Sequence, residues 1–137
     1  MSKICSNRSL WAVLFLSLAI VSGPARAATG LPVTGTWRGT SECVQPDSPC
    51  HDEVNVYRFS EIAGQPNKFS GTGSKIVNGE EIQIGTLEWT FNPQYHALEA
   101  EASGNTFRLI VMGNKMEGTL KTPTKVIYRR IHLQRAD

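Results

Sequence analysis

The chain has 137 residues and a formal net charge of +2 at pH 7. Three of its 14 basic residues and none of its 12 acidic residues fall within residues 1–27, so the remainder carries 11 bases against 12 acids. This near-neutral remainder has no basic run, which excludes an extended electrostatic surface for nucleic acid or an anionic membrane. The 110 residues that follow position 27 suffice for one domain with a single core.

Residues 1–27 have the three parts of an export signal. Lys3 and Arg8 make the start of the segment positive, and residues 10–21 form an uncharged apolar run. Residues 25–27 read Ala-Arg-Ala, the small-x-small pattern of a cleavage site. The segment therefore predicts a signal peptide at residues 1–27.

Cleavage after Ala27 would leave residues 28–137 as a single periplasmic or secreted domain. The apolar run is too short to span a bilayer, and no second run of this kind follows, so we expect no membrane anchor. Cys5 lies before the apolar run rather than after it, which argues against a lipid attachment site. On this prediction Cys5 is absent from the exported protein.

Cys43 and Cys50 are then the two cysteines of the exported domain. Paired thiols persist as disulfides in an oxidising compartment, so we expect a Cys43–Cys50 disulfide with an exposed loop between the two residues. A metal site would need four ligands, whereas the neighbouring residues 51–53 (His-Asp-Glu) alternate in direction on an extended chain. The spacing is not Cys-x-x-Cys, which argues against a redox motif.

The exported domain reads as eight strands separated by turn signals. Asn78-Gly79 is a two-residue hairpin signal, and the later connections are equally short, which requires antiparallel neighbours. The segment from Tyr95 to Ala102 also has helix-forming residues, but its hairpin context favours a strand. The predicted strands are 33–42, 53–60, 68–77, 80–91, 95–102, 106–112, 115–121 and 125–135.

Eight sequential antiparallel strands expose two sheet edges unless the first and last strands pair. Closure removes those edges, so we predict an all-β fold, an eight-stranded antiparallel up-and-down barrel. Arg129 lies in the apolar row of the last strand, and Trp37 lies in the first strand. If these strands pair, the Arg129 guanidinium can cover the Trp37 indole and close one end of the barrel. Arg129→Ala is then expected to destabilise the fold more than Arg130→Ala.

Residues 35–37 (Gly-Thr-Trp), taken together with Arg129 on the last strand, resemble the lipocalin-type (calycin) pattern. In that pattern a Gly-x-Trp tryptophan is covered by a late arginine at the closed end of the barrel. The resemblance implies a lipocalin-like barrel that binds a small apolar ligand. The size and the export signal also resemble those of small bacterial periplasmic barrels that inhibit lysozymes or proteases.

The interior of the barrel can be filled by side chains or can hold one small ligand. A filled core is one expectation, but Gly71 and Gly73 share a face with Phe69 and contribute no bulk. The candidate ligand-binding residues are Phe69, Gly71, Gly73, Trp89 and Phe107. The residues expected to point inward are Trp37, Phe69, Ile82, Ile84, Leu87, Trp89, Phe91, Leu98, Phe107, Leu109, Val111, Met116, Leu120, Ile127, Ile131 and Leu133.

Regular pairing from the Asn78-Gly79 turn would direct Leu87 and Trp89 outward. Exposing such large apolar side chains in a row is unfavourable, so we predict a β-bulge at Gly85-Thr86. The bulge would bring Leu87 beside Gly71 and Trp89 beside Phe69.

Catalytic motifs are absent from the sequence. His51, His96 and His132 are dispersed, and neither a nucleophile elbow nor a phosphate loop occurs. The paired carboxylates at 80–81 and 99–101 are typical of solvated strand positions. The sequence thus predicts a non-enzymatic exported barrel without a cofactor or metal that binds a small apolar ligand. The alternatives are a protein-binding module, such as a periplasmic hydrolase inhibitor, and a structural or stress-related envelope protein.

Overall fold

A computed structural model describes residues 32–137, and the predicted signal peptide lies outside them. The described chain forms a closed barrel of eight sequential antiparallel strands, which confirms the predicted fold class. Within residues 32–137 there is no helix long and apolar enough to cross a membrane. The strands are β1 (Gly35–Cys43), β2 (Glu53–Glu61), β3 (Lys68–Val77), β4 (Glu80–Asn92), β5 (Ala97–Ala102), β6 (Asn105–Met112), β7 (Lys115–Lys121) and β8 (Ile127–Arg135).

The strand bounds follow the local signals, with three starts two residues later than expected, the first of them at Gly35 rather than Val33. The fifth strand begins at Ala97 rather than Tyr95, because His96 takes a positive φ of 51° inside a turn. The eighth begins at Ile127 rather than Lys125, where φ is 66°. L-residues rarely adopt this conformation within a strand, so each such residue ends its turn and delays the strand. Segment 97–102 is a strand, as its hairpin context indicates.

The core fills most of the barrel. Apolar side chains from all eight strands meet inside it, and two tryptophans, Trp37 and Trp89, are its largest fully buried members. Leu87 and Phe107 pack against this core while remaining half-buried. The buried hydrophobic core consists of Val33, Trp37, Tyr57, Phe59, Phe69, Trp89, Phe91, Leu98, Ala100, Leu109, Val111, Met116, Leu120, Ile131 and Leu133.

Ile82 and Ile84 do not point into the core, and this part of the prediction was wrong. Their side chains are 44% and 61% exposed. Both lie near the Asn78-Gly79 turn, where the β3–β4 hairpin extends beyond the packed part of the barrel. Apolar residues in an antiparallel hairpin are buried only where a third element covers them, and the described residues place none over this one.

The predicted β3–β4 register is confirmed. Leu87 pairs with Gly71, and Trp89 pairs with Phe69. The irregularity lies one residue earlier than expected, because Gly73 pairs with Gly85 whereas Ser74 pairs with Gln83. Ile84 is therefore the extra residue of the bulge. The inserted residue turns Leu87 and Trp89 inward, where burying their apolar surface stabilises the fold.

The residue that covers Trp37 is Arg135, not Arg129. In the antiparallel β1–β8 pair, Trp37 lies opposite Arg135, whereas Arg129 lies opposite Cys43 at the other end. The Arg135 guanidinium carbon is 4.4 Å from the centre of the indole ring. The prediction of Arg129 as the closing residue was wrong because the start of a first strand pairs with the end of an antiparallel last strand.

Arg135 also ties the chain leading into the barrel. Its guanidinium donates hydrogen bonds to the carbonyl oxygens of Thr34 at 2.6 Å and Pro32 at 2.7 Å. The Trp37 indole N–H donates to the Val33 carbonyl at 2.9 Å. These contacts close one end of the barrel, which we call the closed end.

Arg135→Ala is expected to lower the free energy of unfolding by about 1–2 kcal/mol, because it removes the cation–indole contact and the packing of the side-chain stem. Arg130 is exposed on the same strand and is the matched control. Its alanine variant should change stability by less than about 0.5 kcal/mol. Chemical denaturation of both variants measures the difference, and equal losses would contradict this role of Arg135.

Candidate functional site

The end of the barrel opposite Arg135 is called the open mouth. It is formed by the end of β1, the start of β2, the β3–β4 and β5–β6 hairpins, and the start of β8. The barrel wall is incomplete here, because β4 has 13 residues and β5 has six. Only the last three residues of β4, Thr90 to Asn92, pair with β5. Within the described chain, the stretch of β4 from Glu80 to Trp89 therefore has a strand on one side only.

A cavity of about 260 Å³ lies where β4 separates from β5. Its lining is predominantly apolar and comes from β2, β3, β4 and the β5–β6 hairpin. The lining residues are Tyr57, Gly71, Gly73, Ile84, Gly85, Thr86, Leu87, Trp89, Ala102 and Phe107. Four of the five candidate ligand-binding residues line this space. The fifth, Phe69, is fully buried and does not line it.

Glycines create the space in this cavity. Gly73 and Gly85 face each other across β3 and β4. A Cβ at Gly85 would find no atom within 4 Å, and one at Gly73 would lie 3.3 Å from the Tyr57 ring. Bare backbone therefore forms part of the cavity wall, and a larger side chain at position 85 would fill the space. Gly71 instead makes room for the Trp89 indole, since a Cβ added at Gly71 would lie 2.4 Å from the indole nitrogen.

Aromatic rings form the deep side of the cavity. The Trp89 and Phe107 ring centres are 5.3 Å apart, and Tyr57 meets Trp89 edge-on at 6.1 Å. The Trp89 indole N–H is buried and has no hydrogen-bond acceptor among the described residues. An unsatisfied buried donor costs about 1–3 kcal/mol. The wall thus combines a large apolar surface with one unmet hydrogen-bonding group.

Polar side chains surround the open mouth next to this cavity. Arg129, whose side chain is 14% exposed, donates hydrogen bonds to the Ser41 carbonyl at 3.2 Å and the His51 carbonyl at 3.1 Å. A Glu53 carboxylate oxygen lies 3.7 Å from the same guanidinium. Asn55 is buried and donates to the Ser74 carbonyl at 3.2 Å. Arg129 therefore holds strand β1 and the segment after Cys50 together at the mouth.

Tyr57 connects the polar rim with the apolar cavity. Burial, and to a lesser extent the nearby Glu53 carboxylate, raises the pKa of its hydroxyl to about 12, and Arg129 partly opposes this shift. An ionised phenol is poorly solvated at this position, so Tyr57 stays neutral over the physiological range. It can therefore offer a neutral hydroxyl to a ligand.

The phenol of Tyr57 should titrate about two pH units above an exposed tyrosine, whose pKa is 10.0. The pKa of Tyr57 is higher in the folded protein than in the unfolded chain. The stability that the protonated hydroxyl contributes is therefore fully present below pH 10 and is lost as the pH rises from about 10 to 12. Phenolate absorbance measured against pH tests this. Tyr57→Phe should remove this late step from the absorbance curve. A wild-type curve that completes before that step would contradict the burial of this hydroxyl.

The predicted disulfide is present. The sulfur atoms of Cys43 and Cys50 are 2.04 Å apart and the Cα atoms 5.9 Å apart. The enclosed loop lies against β8, with Gln45 donating to the Ile127 carbonyl at 3.0 Å and Ser48 contacting the Tyr128 hydroxyl at 3.4 Å. The tip of the loop is exposed, as expected, whereas its two ends are half-buried. The loop therefore packs against β8 at the mouth and does not project freely into solvent.

Residues 32–137 contain no cluster of three or more side chains suited to hold a metal ion. The three histidines are as dispersed in space as in sequence. His51 follows the disulfide loop, His96 lies in the β4–β5 turn at the closed end, and His132 lies on the outer face 3.8 Å from Glu117.

A larger depression of about 410 Å³ lies on the outer face of β2, β3 and β4. It is lined mainly by hydroxyl and charged side chains, and the Arg58–Glu81 ion pair spans it. The hydrogen bond from Arg58, together with one from Ser74, lowers the pKa of Glu81. Because its charged groups already pair with each other, this depression is better explained as a structural contact that holds the β3–β4 hairpin.

Six of the ten lining residues were missed as ligand-binding residues in the sequence, among them Tyr57 and Gly85. In β2, the inward face could be the one that carries Val54 and Val56 or the opposite one, which carries Tyr57 and Phe59. The structure buries the aromatic row inside and leaves Val54 37% exposed on the outside. The larger rings bury more apolar area, which decides the orientation. The sequence prediction used Gly85 only to place the bulge. A second glycine beside Gly73 also indicated missing side-chain volume at this position.

Comparison with protein-family models and with curated proteins finds no match for this chain.

Proposed function

We propose that this protein is a non-enzymatic, exported, lipocalin-like binding protein that takes a small apolar molecule into the open mouth of its barrel. The observation that carries the proposal is the apolar cavity of about 260 Å³ at the separation of β4 from β5. Ligand sites are concave, mostly apolar and supplied with a few polar groups, and this cavity has that composition.

The size and lining of the cavity limit the ligand. Pockets for drug-sized molecules start at about 300 Å³, so a ligand here is smaller, such as a molecule of one or two rings. Tyr57 is the only titratable side chain among the lining residues. The site therefore favours an uncharged ligand that packs against Trp89 and Phe107 and accepts or donates one hydrogen bond at Tyr57.

Export is part of the same proposal. The disulfide is consistent with an oxidising compartment, and the pattern of residues 1–27 supports delivery to the periplasm or the exterior. The closed barrel is consistent with a lipocalin-like fold. The Arg135 guanidinium over Trp37 also supports a lipocalin-like barrel, although the resemblance assigned this position to Arg129.

The alternatives draw less support from the geometry. A protein-binding module acting through residues 44–49 needs a freely projecting loop, whereas this loop is hydrogen-bonded to β8. A structural envelope protein without a pocket would need a filled barrel, and the space beside Gly73 and Gly85 is not filled.

Filling the cavity tests the proposed function. Gly85→Val places two methyl groups in the space, and the backbone at Gly85 does not need the left-handed conformation. Binding of a naphthalene dye that fluoresces in apolar surroundings should weaken at least about tenfold, equivalent to about 1.4 kcal/mol. Native mass spectrometry of the wild type from its own cells should show a small bound molecule that the variant lacks.

Thr72→Val is the matched control, since Thr72 lies on the outer face, where its hydroxyl contacts that of Thr86 at 2.9 Å. This variant should bind the dye like the wild type. Chemical denaturation of both variants confirms that the folds are intact. Equal dye affinity of Gly85→Val and the wild type would contradict binding in this cavity.

A further inference from the structure

The indole N–H of Trp89 is a buried hydrogen-bond donor that lacks an acceptor. Trp89 lines the cavity and is 1% exposed, and no acceptor for its N–H lies within residues 32–137. A buried donor without a partner is rare in a folded protein and calls for an explanation. The other fully buried tryptophan, Trp37, follows the usual rule, because its N–H donates to the Val33 carbonyl at 2.9 Å. The missing acceptor at Trp89 therefore indicates a place where a bound molecule supplies one.

Gly71 brings this N–H to the cavity wall. Gly71 itself lines the cavity, and a Cβ added there would lie 2.4 Å from the indole nitrogen. The nitrogen thus occupies the space that a side chain at position 71 would otherwise fill. Solvent does not reach the nitrogen in the free protein. A ligand atom reaches it when the indole tilts slightly towards the cavity, and the bare backbone at Gly73 and Gly85 leaves room for this movement.

We propose that the cavity selects uncharged ring compounds that carry a carbonyl oxygen, and that this oxygen accepts a hydrogen bond from the Trp89 indole N–H. This inference rests on the proposed function and adds the chemical class of the ligand. Folding has already removed the N–H from water, so the new bond forms without competition from solvent. In such apolar surroundings a hydrogen bond is also electrostatically stronger than in water.

The donor chemistry of the indole disfavours other classes of ligand. An indole N–H donates and cannot accept, so an ammonium group, which has no lone pair, gains nothing from it. A carboxylate could accept, but the described lining residues include no lysine or arginine, and an unpaired charge is costly in an apolar site. A hydroxyl would accept while bringing a proton that needs an acceptor of its own. A carbonyl oxygen accepts and brings no donor.

Nuclear magnetic resonance of the indole protons tests the contact directly. Acetylnaphthalene is the probe, and isopropenylnaphthalene, in which a methylene group replaces the carbonyl oxygen, is its matched control. The ketone should move the Trp89 indole proton to lower field, because a new hydrogen bond deshields it, whereas the hydrocarbon should not. The Trp37 proton is already bonded to Val33 and should stay in place with either compound. Trp89→Phe identifies the resonance, since this variant lacks it.

Affinity provides a second measurement, made by displacing the naphthalene dye. Replacing Trp89 by benzothienylalanine puts a sulfur atom in the position of the N–H and keeps the two-ring side chain. This replacement should weaken binding of acetylnaphthalene about fivefold relative to isopropenylnaphthalene, which is equivalent to one hydrogen bond of about 1 kcal/mol. The same replacement at Trp37 is the control and should leave the ratio of the two affinities unchanged.

Two results would overturn the carbonyl class and leave the cavity as a site for apolar rings. One is that both compounds bind and neither moves the Trp89 proton to lower field. The N–H would then point at the face of Phe59, whose ring is perpendicular to the indole with the ring centres 5.4 Å apart. The other is an equal loss of affinity for both compounds when Trp89 is replaced. Absence of binding by the dye and by both compounds would overturn the proposed function and the carbonyl class together.

Discussion

Gly39→Ala is expected to lower the free energy of unfolding by about 3 kcal/mol or more, at the upper end of overpacking substitutions. An added Cβ would lie 1.8 Å from the main-chain carbonyl oxygen of His132 and 2.8 Å from the Leu133 Cα. These atoms belong to the β8 backbone, which cannot rotate away as a side chain can. The substitution therefore acts on the β1–β8 pairing that closes the barrel.

Gly85→Ala is the control for this substitution. An added Cβ at Gly85 would meet no atom within 4 Å, so its stability should stay within about 1 kcal/mol of the wild type. Chemical denaturation measures both variants, and soluble yield reports on Gly39→Ala if it fails to fold. A Gly39→Ala protein as stable as Gly85→Ala would show that β1 and β8 do not approach this closely.

Replacing both Cys43 and Cys50 by serine is expected to destabilise the protein by about 2.5 kcal/mol. In the loop-entropy model, an eight-residue loop restricts the unfolded chain by about this amount. The loss is a large share of the about 5–15 kcal/mol that is typical of a whole domain. Equilibrium unfolding of the double variant against the oxidised wild type measures it.

Reduction of the wild type should reproduce the effect of the double substitution, and adding reductant to the double variant should change nothing. This comparison separates the cross-link from the side-chain replacement. Loss of the disulfide also frees the segment that holds His51, whose carbonyl accepts a hydrogen bond from Arg129. A change below about 1 kcal/mol would mean that other contacts at the mouth already order this loop.

The strands and the site could be predicted to different extents. Hairpin signals such as Asn78-Gly79 act within a few residues, so the strand order and most strand bounds follow from the sequence. The β3–β4 register was also predictable, because Leu87 and Trp89 would otherwise face solvent. The cavity was predictable only in part: Gly71 and Gly73 indicated missing bulk, but the sequence did not show whether neighbouring side chains would fill it.

The sequence by itself determined the all-β class, the sequential antiparallel order and the cysteine pairing, because turn residues, alternation and proximity along the chain act locally. Only the tertiary structure decided that Arg135 covers Trp37 and that Arg129 lies at the mouth, since the register between β1 and β8 joins residues about 100 positions apart. It also decided that Ile82 and Ile84 stay exposed. Burial depends on which element covers a strand, and β5 is too short to reach this part of β4.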